Sequence, residues 1–179
     1  MAATTTLALM AAALITTGTA APTPPGPEAT NLSGLTSRVY PLVFQVEDLA
    51  GTQRETQSDS ETKYTLQASL LFAKDSSTIS PAARSALDDV ARKIAAARPS
   101  RPVKIMGYTD DLGTAEHGLK LSKERAAAVK ALLQKRPELA GVTYTTEGLG
   151  EARPIADNGT EAGRKRNRRV EIVVAASAG

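Results

Sequence analysis

From residue 63 onward the apolar positions switch repeatedly between a two-residue and a helical period. Tyr64, Leu66, Ala68 and Leu70 alternate within Tyr64–Phe72, which predicts a strand. Ser80-Pro81 then reads as a helix start, with Ser as the N-cap and Pro at the first helical position. Ala83, Leu87, Val90, Ala91 and Ile94 share one face of that helix, which ends before Pro99 and Pro102. Residues 103–109 predict a second strand, followed by turn chemistry at Asp110-Asp-Leu-Gly113. A second helix is expected over 120–135, with Leu121, Ala126, Val129, Leu132 and Leu133 inward and Pro137 ending it. Residues 142–146 predict a third strand. Asn158-Gly159 predicts a turn, and Thr160 the cap of a short helix through Arg166. Residues 170–174 predict the last strand. The order β-α-β-α-β-α-β predicts a two-layer α/β or α+β sandwich.

Upstream of residue 63 the pattern is weaker. Residues 39–46 alternate like a strand, and Pro41 places it at a sheet edge. Glu47 to Gly51 reads as a turn and 52–62 as a polar, acidic loop, so 37–62 forms an N-terminal unit of strand and loop. Residues 22–36 are proline-rich and predict an extended linker. Leu7 to Ile15 is an apolar run of signal-peptide length with small residues at 18–21, although no Lys or Arg precedes it. Residues 1–21 are therefore expected to be an export leader, 63–175 the folded domain and 176–179 a tail.

Composition narrows the chemistry. The chain has no Cys, no Trp and one His, His117. That removes disulfides, thiol nucleophiles, Cys-ligated metal and multi-His centres. Aromatics at 3% are too few for a base-stacking platform. The formal charge of +3 divides into −4 over residues 1–62 and +7 over 63–179. The basic character belongs to the folded part.

Within that part, Asp110 follows a predicted strand and Arg125 falls near the start of the next helix. A short loop can turn both toward one shallow cleft. A carboxylate beside a guanidinium suits a zwitterion, the Asp taking an ammonium and the Arg forking a carboxylate. A structural salt bridge, or two solvated loop charges, would use the same pair. The basic run Gly163–Val170 leads straight into an apolar strand, so at least one of its arginines is expected to lie against the sheet. Asp75 follows Phe72 in a turn beside Ser76-Ser77, and His117 reads as an exposed loop residue. The motifs of dinucleotide loops, serine hydrolases and zinc proteases are missing. Asp110-Asp111 are adjacent, whereas a glycosidase pair must face each other across a bond.

Five motifs then stand in order: Leu71-Phe72 with Asp75; Gly107-Tyr-Thr-Asp-Asp-Leu-Gly113; Leu121-Ser-Lys-Glu-Arg-Ala126 with Val129; Gly148-Leu-Gly-Glu151 with Pro154; and Gly163-Arg164 with Asn167-Arg-Arg-Val-Glu171. Together they resemble the OmpA-like peptidoglycan-binding domain found in porin tails, peptidoglycan-associated lipoproteins and flagellar stator anchors. The resemblance covers residues 63–175. It implies an α+β fold, with a mixed four-stranded sheet, two main helices and a short third helix on one face, and room for an extra N-terminal edge strand. It also implies a non-enzymatic module without cofactor or metal, held to the cell envelope by the diaminopimelate residue of peptidoglycan. Asp110 matches the Asp that receives the ammonium and Arg125 the Arg that receives the carboxylate. Arg168 matches a further cleft Arg, and Asp75 a polar residue reaching the ligand. The amides near Leu112 and Gly113 would face the anionic end. The partner is then peptidoglycan and not nucleic acid, with an envelope protein as a second partner through strand 39–46. One departure is Gly118, where the family usually carries Asn. It keeps open the alternative of an exported interaction or adhesion protein with this fold and weak or lost wall binding.

Overall fold

The computed structural model describes residues 44–48 and 52–176. The expected leader, the linker, the first part of the N-terminal strand and residues 177–179 lie outside the described residues. Six strands make one sheet: β1 (Phe44–Glu47), β2 (Gln53–Gln57), β3 (Glu61–Gln67), β4 (Val103–Gly107), β5 (Tyr144–Gly148) and β6 (Arg169–Ala175), in the order β1-β2-β3-β6-β4-β5. Only β4 and β5 run parallel. The helices are α1 (Ala68–Leu71), α2 (Pro81–Ala97), α3 (Ala115–Leu133) and α4 (Glu161–Asn167), with a 3-10 turn at Pro137–Leu139.

The core follows from the alternation. Leu66 on β3, Val103 and Ile105 on β4, and Val170 and Ile172 on β6 pack with Leu87, Val90 and Ile94 of α2 and Val129 and Leu133 of α3, all fully buried. Each such side chain contributes about 1.5–3 kcal/mol of apolar burial. The five apolar positions predicted for α2 are its five buried residues. Ser80 caps α2 through the Ala83 N–H, and Thr160 caps α4 through the Gly163 N–H.

The structure departs from the expectations in four places. Residues 52–62, read as a loop, supply β2 and the start of β3, so the sheet has six strands: the four expected, β1 as the N-terminal edge strand and β2 between them. A strand paired near a sheet edge need not show a buried face: its polar side chains are held by ion pairs, Arg54 across to Glu47 of β1 at 2.8 Å and Glu55 to Lys93 of α2. The strand predicted through Phe72 stops at Gln67, because Ala68 and Leu71 are buried together on one helical turn closed by the Phe72 N–H on the Ala68 carbonyl. Helix α3 begins five residues early, at Ala115, since Thr114 Oγ1 accepts the His117 N–H; His117 is thus helical and not in a loop. On its buried face Ser122 and Arg125 replace Leu121 and Leu132, which are only partly covered.

Candidate ligand-binding site

The register brings three strand ends to one edge. β6 is antiparallel to both β3 and β4, pairing Arg169 with Gln67 and Val170 with Gly107. The Ala68 N–H therefore donates to the Arg168 carbonyl at 2.8 Å, and the Tyr108 N–H to the Arg169 carbonyl at 2.9 Å. The chain leaving β3 leads to Asp75, the chain leaving β4 leads to Asp110, and the residue entering β6 is Arg168. Residues 117 to 125 in sequence lie across this edge on α3.

Glycines set how closely α3 approaches. A Cβ on Gly107 would lie 2.1 Å from the Ser122 carbonyl oxygen, and one on Gly148 would lie 2.5 Å from the Lys123 nitrogen. The helix backbone rests directly on the ends of β4 and β5. Ser122, fully buried, fixes it there: its hydroxyl accepts the Gly150 N–H at 2.9 Å and donates to the Leu119 carbonyl at 2.8 Å. Arg125, one turn further on, is brought among the charges of Asp75, Asp110 and Arg168 and is 5% exposed.

The charged groups are arranged unequally. Arg168 donates through Nη1 to Asp110 Oδ2 at 2.5 Å and through Nη2 to Glu161 Oε1 at 2.6 Å. Burial opposes its charge, but these hydrogen bonds outweigh burial and raise its pKa. Glu161, exposed, is held below the usual carboxylate range by hydrogen bonds from Arg168 and Arg164. The Asp110 side chain is 10% exposed, and its Oδ1 receives the Leu112 N–H at 3.4 Å. Gly113 turns the loop at φ +95°. The Leu112 amide, expected to face the anionic end of a ligand, is turned to Asp110 instead, and the Leu112 side chain is exposed.

Arg125 has fewer partners. Its Nε donates to the Ser76 carbonyl at 2.9 Å, and its guanidinium carbon lies 5.3 Å from the Phe72 ring centroid. Among the described residues no hydrogen bond reaches its Nη atoms. Burial lowers its pKa, with Asp75 and Asp110 acting in the opposite sense and Arg168 in the same one. Asp75 sits at φ +50° in a turn and meets His117, its Oδ1 being 2.7 Å from Nε2. Asp110 and Arg125 do not pair directly; Arg168 holds Asp110, and the three form one field of charge.

The motif Asn167-Arg-Arg-Val-Glu171 divides its labour. Asn167 is fully buried and fastens the loop before α4, accepting from the Ile155 and Ala156 N–H groups and donating to the Ala156 carbonyl and Asn158 Oδ1. Arg168 faces the site. Arg169 turns to the other face of the sheet and lies against it, as expected for one arginine of the run. That face also carries a trough of about 250 Å³ lined by Gln45, Arg54, Lys63, Gln67, Ile155 and Arg166, away from the Asp110 site. Glu161 and the Asp75–His117 contact escaped the sequence reading. Glu161 could have been found from its i,i+3 and i,i+7 spacing to Arg164 and Arg168. At Gly118, the Thr109 hydroxyl fills the space a side chain would need: a Cβ there would lie 2.9 Å from Oγ1, which is buried without a partner.

Among the described residues, no group of acidic, His or Cys side chains could hold a metal, and no helix is long and apolar enough to cross a membrane. A profile of the OmpA family matches residues 71–168, more than half of the chain. Outer membrane protein A of Bordetella avium is 40% identical over 129 residues, covering 72% of this chain and 66% of that protein. The peptidoglycan-binding protein ArfA of Mycobacterium tuberculosis is 43% identical over 105 residues, covering 59% of this chain and 32% of its own length. Among solved structures, the cell wall anchor of the T6SS from Pseudomonas aeruginosa superposes with a TM-score of 0.63 at 30% identity, over 72% of this chain and 90% of that one. The periplasmic domain of Helicobacter pylori MotB shares the fold at 24% identity and a TM-score of 0.62, over 75% of this chain and 88% of its own. With the family match running from the end of α1 to Arg168, through every residue of the charged cluster, this chain belongs to the OmpA family.

Proposed function

We propose that this chain binds peptidoglycan non-covalently and without catalysis, through the diaminopimelate residue of the stem peptide, and so anchors itself in the cell envelope. Asp110 receives the ammonium of the diaminopimelate side chain. The Nη atoms of Arg125 take its carboxylate as a fork, and Arg168 lines the cleft between them. The Leu112 amide and the turn at Gly113 hold the Asp110 carboxylate in place. The observation that carries this reading is the state of Arg125, a residue only 5% exposed whose Nη atoms have no protein partner among the described residues. A guanidinium held by its Nε and packed on an aromatic ring keeps its terminal donors for a planar carboxylate. The relatives named for peptidoglycan or cell wall support the choice of ligand.

Charge-assisted hydrogen bonds contribute about 1.5–3 kcal/mol each. Two or three of them, less the cost of association, give weak binding at a single site. Retention on the wall then comes from rebinding along a polymer of many stem peptides. The test is co-sedimentation with purified sacculi. Asp110→Ala and Arg125→Ala are each expected to abolish it while the circular dichroism spectrum is retained. If both variants sediment like the wild type, the reading is wrong.

A further inference from the structure

We infer that His117 is a positioning residue of this site: it holds Asp75 aside, so that the Nη atoms of Arg125 stay open to a ligand carboxylate. The inference rests on the wall-binding reading above and assigns that site a part no motif announced.

The geometry is as follows. Ser76 gives its carbonyl to Arg125 Nε at 2.9 Å, so Asp75, one residue upstream, is tethered beside the guanidinium. Its side chain is 62% exposed, so no packing among the described residues fixes its rotamer beyond the contact with His117. Of the anions around Arg125, Asp75 exerts the strongest field, ahead of Asp110. Yet Asp75 and Arg125 form no ion pair. The Asp75 Oδ1, which the family resemblance would send to the ligand, is instead 2.7 Å from His117 Nε2, so Asp75 acts here as a competitor and not as a ligand contact. His117 and Arg125 lie two helical turns apart on α3 and therefore on one side of it. One contact holds the 73–79 turn at its carboxylate, the other at its backbone.

A carboxylate on a short tether is a strong intramolecular competitor, because its effective concentration is far above that of a free ligand. Released from His117, Asp75 would close on the open fork of Arg125 and occupy the place of the ligand carboxylate. The imidazole donates from Nε2 to Asp75 whether neutral or charged, provided Nε2 carries the proton. Other charged groups flanking His117 on α3 are Glu116, Lys120 and, two turns on, Arg125; from the other elements Asp110 and Arg168 face the site.

The experiment is a titration of the full, isotope-labelled chain with free diaminopimelic acid, followed by NMR. His117→Ala is expected to weaken binding by about three- to tenfold, the loss being a released competitor at millimolar effective concentration. His117→Gln, which keeps a donor, restores most of it. In an Asp75→Ala background the substitution His117→Ala has no further effect. Equal loss in both backgrounds, no loss in the wild-type background, or loss of binding in Asp75→Ala itself would overturn the inference. Arg125→Ala separates the two failures. If it binds like the wild type, the wall-binding reading falls and takes this one with it. If it abolishes binding while His117 and Asp75 act independently, this inference alone fails.

Discussion

Two buried arginines, Arg125 and Arg169, show how differently the same side chain can be used in one small fold. Arg169 is 2% exposed and fully occupied. Its Nε donates to Glu171 Oε1 at 2.8 Å, Nη1 to the Asn167 carbonyl and Nη2 to the Arg153 carbonyl, and its guanidinium lies 3.7 Å from the Tyr108 ring centroid. Arg125 is almost as buried and has one hydrogen bond through Nε. Burial alone therefore does not mark a binding residue. What sets Arg125 apart from Arg169 is the unmet hydrogen-bonding capacity of its Nη atoms among the described residues. A saturated buried arginine locks loops together, whereas an unsaturated one stores binding capacity at some cost to its own charged state, which is why burial lowers the pKa of Arg125.

The contrast breaks most sharply if stability and binding are measured on both sites. Arg169→Ala removes four contacts and strands Glu171, 6% exposed, with only Lys63 at 3.9 Å and the Tyr108 hydroxyl at 3.5 Å. Breaking a buried pair on one side costs about 3–5 kcal/mol. The urea midpoint should fall accordingly, and Arg169→Met with Glu171→Leu should recover most of it. Sacculus binding per folded molecule should stay. Arg125→Ala should do the reverse, abolishing sedimentation while costing about 1 kcal/mol, the value of one net hydrogen bond. A large destabilisation by Arg125→Ala would make it a second structural arginine.

Gly107→Ala tests how the sheet presents Arg125. The new Cβ would drive into the Ser122 carbonyl, which is backbone and cannot step aside, so α3 must lift. Overpacking of this kind costs about 1–3 kcal/mol. The expected outcome is a lower urea midpoint together with weakened sacculus binding, because Arg125 rides on the displaced helix. Unchanged binding at reduced stability would show that the position of α3 does not set the site.

Much of this was legible beforehand, for physical reasons. The α2 face, the Ser80 and Thr160 caps and the burial of an arginine at the head of β6 all follow from period and capping, which are local. Strand β2 was not legible, because Gln53-Arg-Glu-Thr-Gln57 shows no apolar alternation when its polar side chains pair across strands. Helix α3 was read short because its first turn, Ala115–Gly118, carries no apolar stripe and depends on a threonine cap. For the site, spacing proposed Asp110 and Arg125 as neighbours. It did not reveal that Arg168 is the direct partner of Asp110, since that contact spans 58 residues and depends on strand register. The same holds for Asp75 and His117, which are 42 residues apart.

Arg168 lies between the two extremes, and acid titration can place it. Its two terminal nitrogens are divided between Asp110 and Glu161. The pKa of Glu161 is depressed in the fold by hydrogen bonds from Arg168 and then Arg164. A depressed carboxylate stabilises the folded state at pH values above its unfolded pKa of 4.5, and that contribution is lost as the pH falls through the lower folded value. Glu161→Gln should therefore leave the urea midpoint slightly lower at neutral pH and flatten its decline below about pH 4.5. Glu161 is fully exposed, so the difference should be small and shrink further in high salt. The binding readout decides what Arg168 is for. If Glu161→Gln leaves sacculus binding intact, Arg168 is held well enough by Asp110 alone and behaves like the saturated Arg169. If binding falls with little change in stability, the aim of Arg168 depends on Glu161, and the ligand site extends along α4 to an exposed carboxylate.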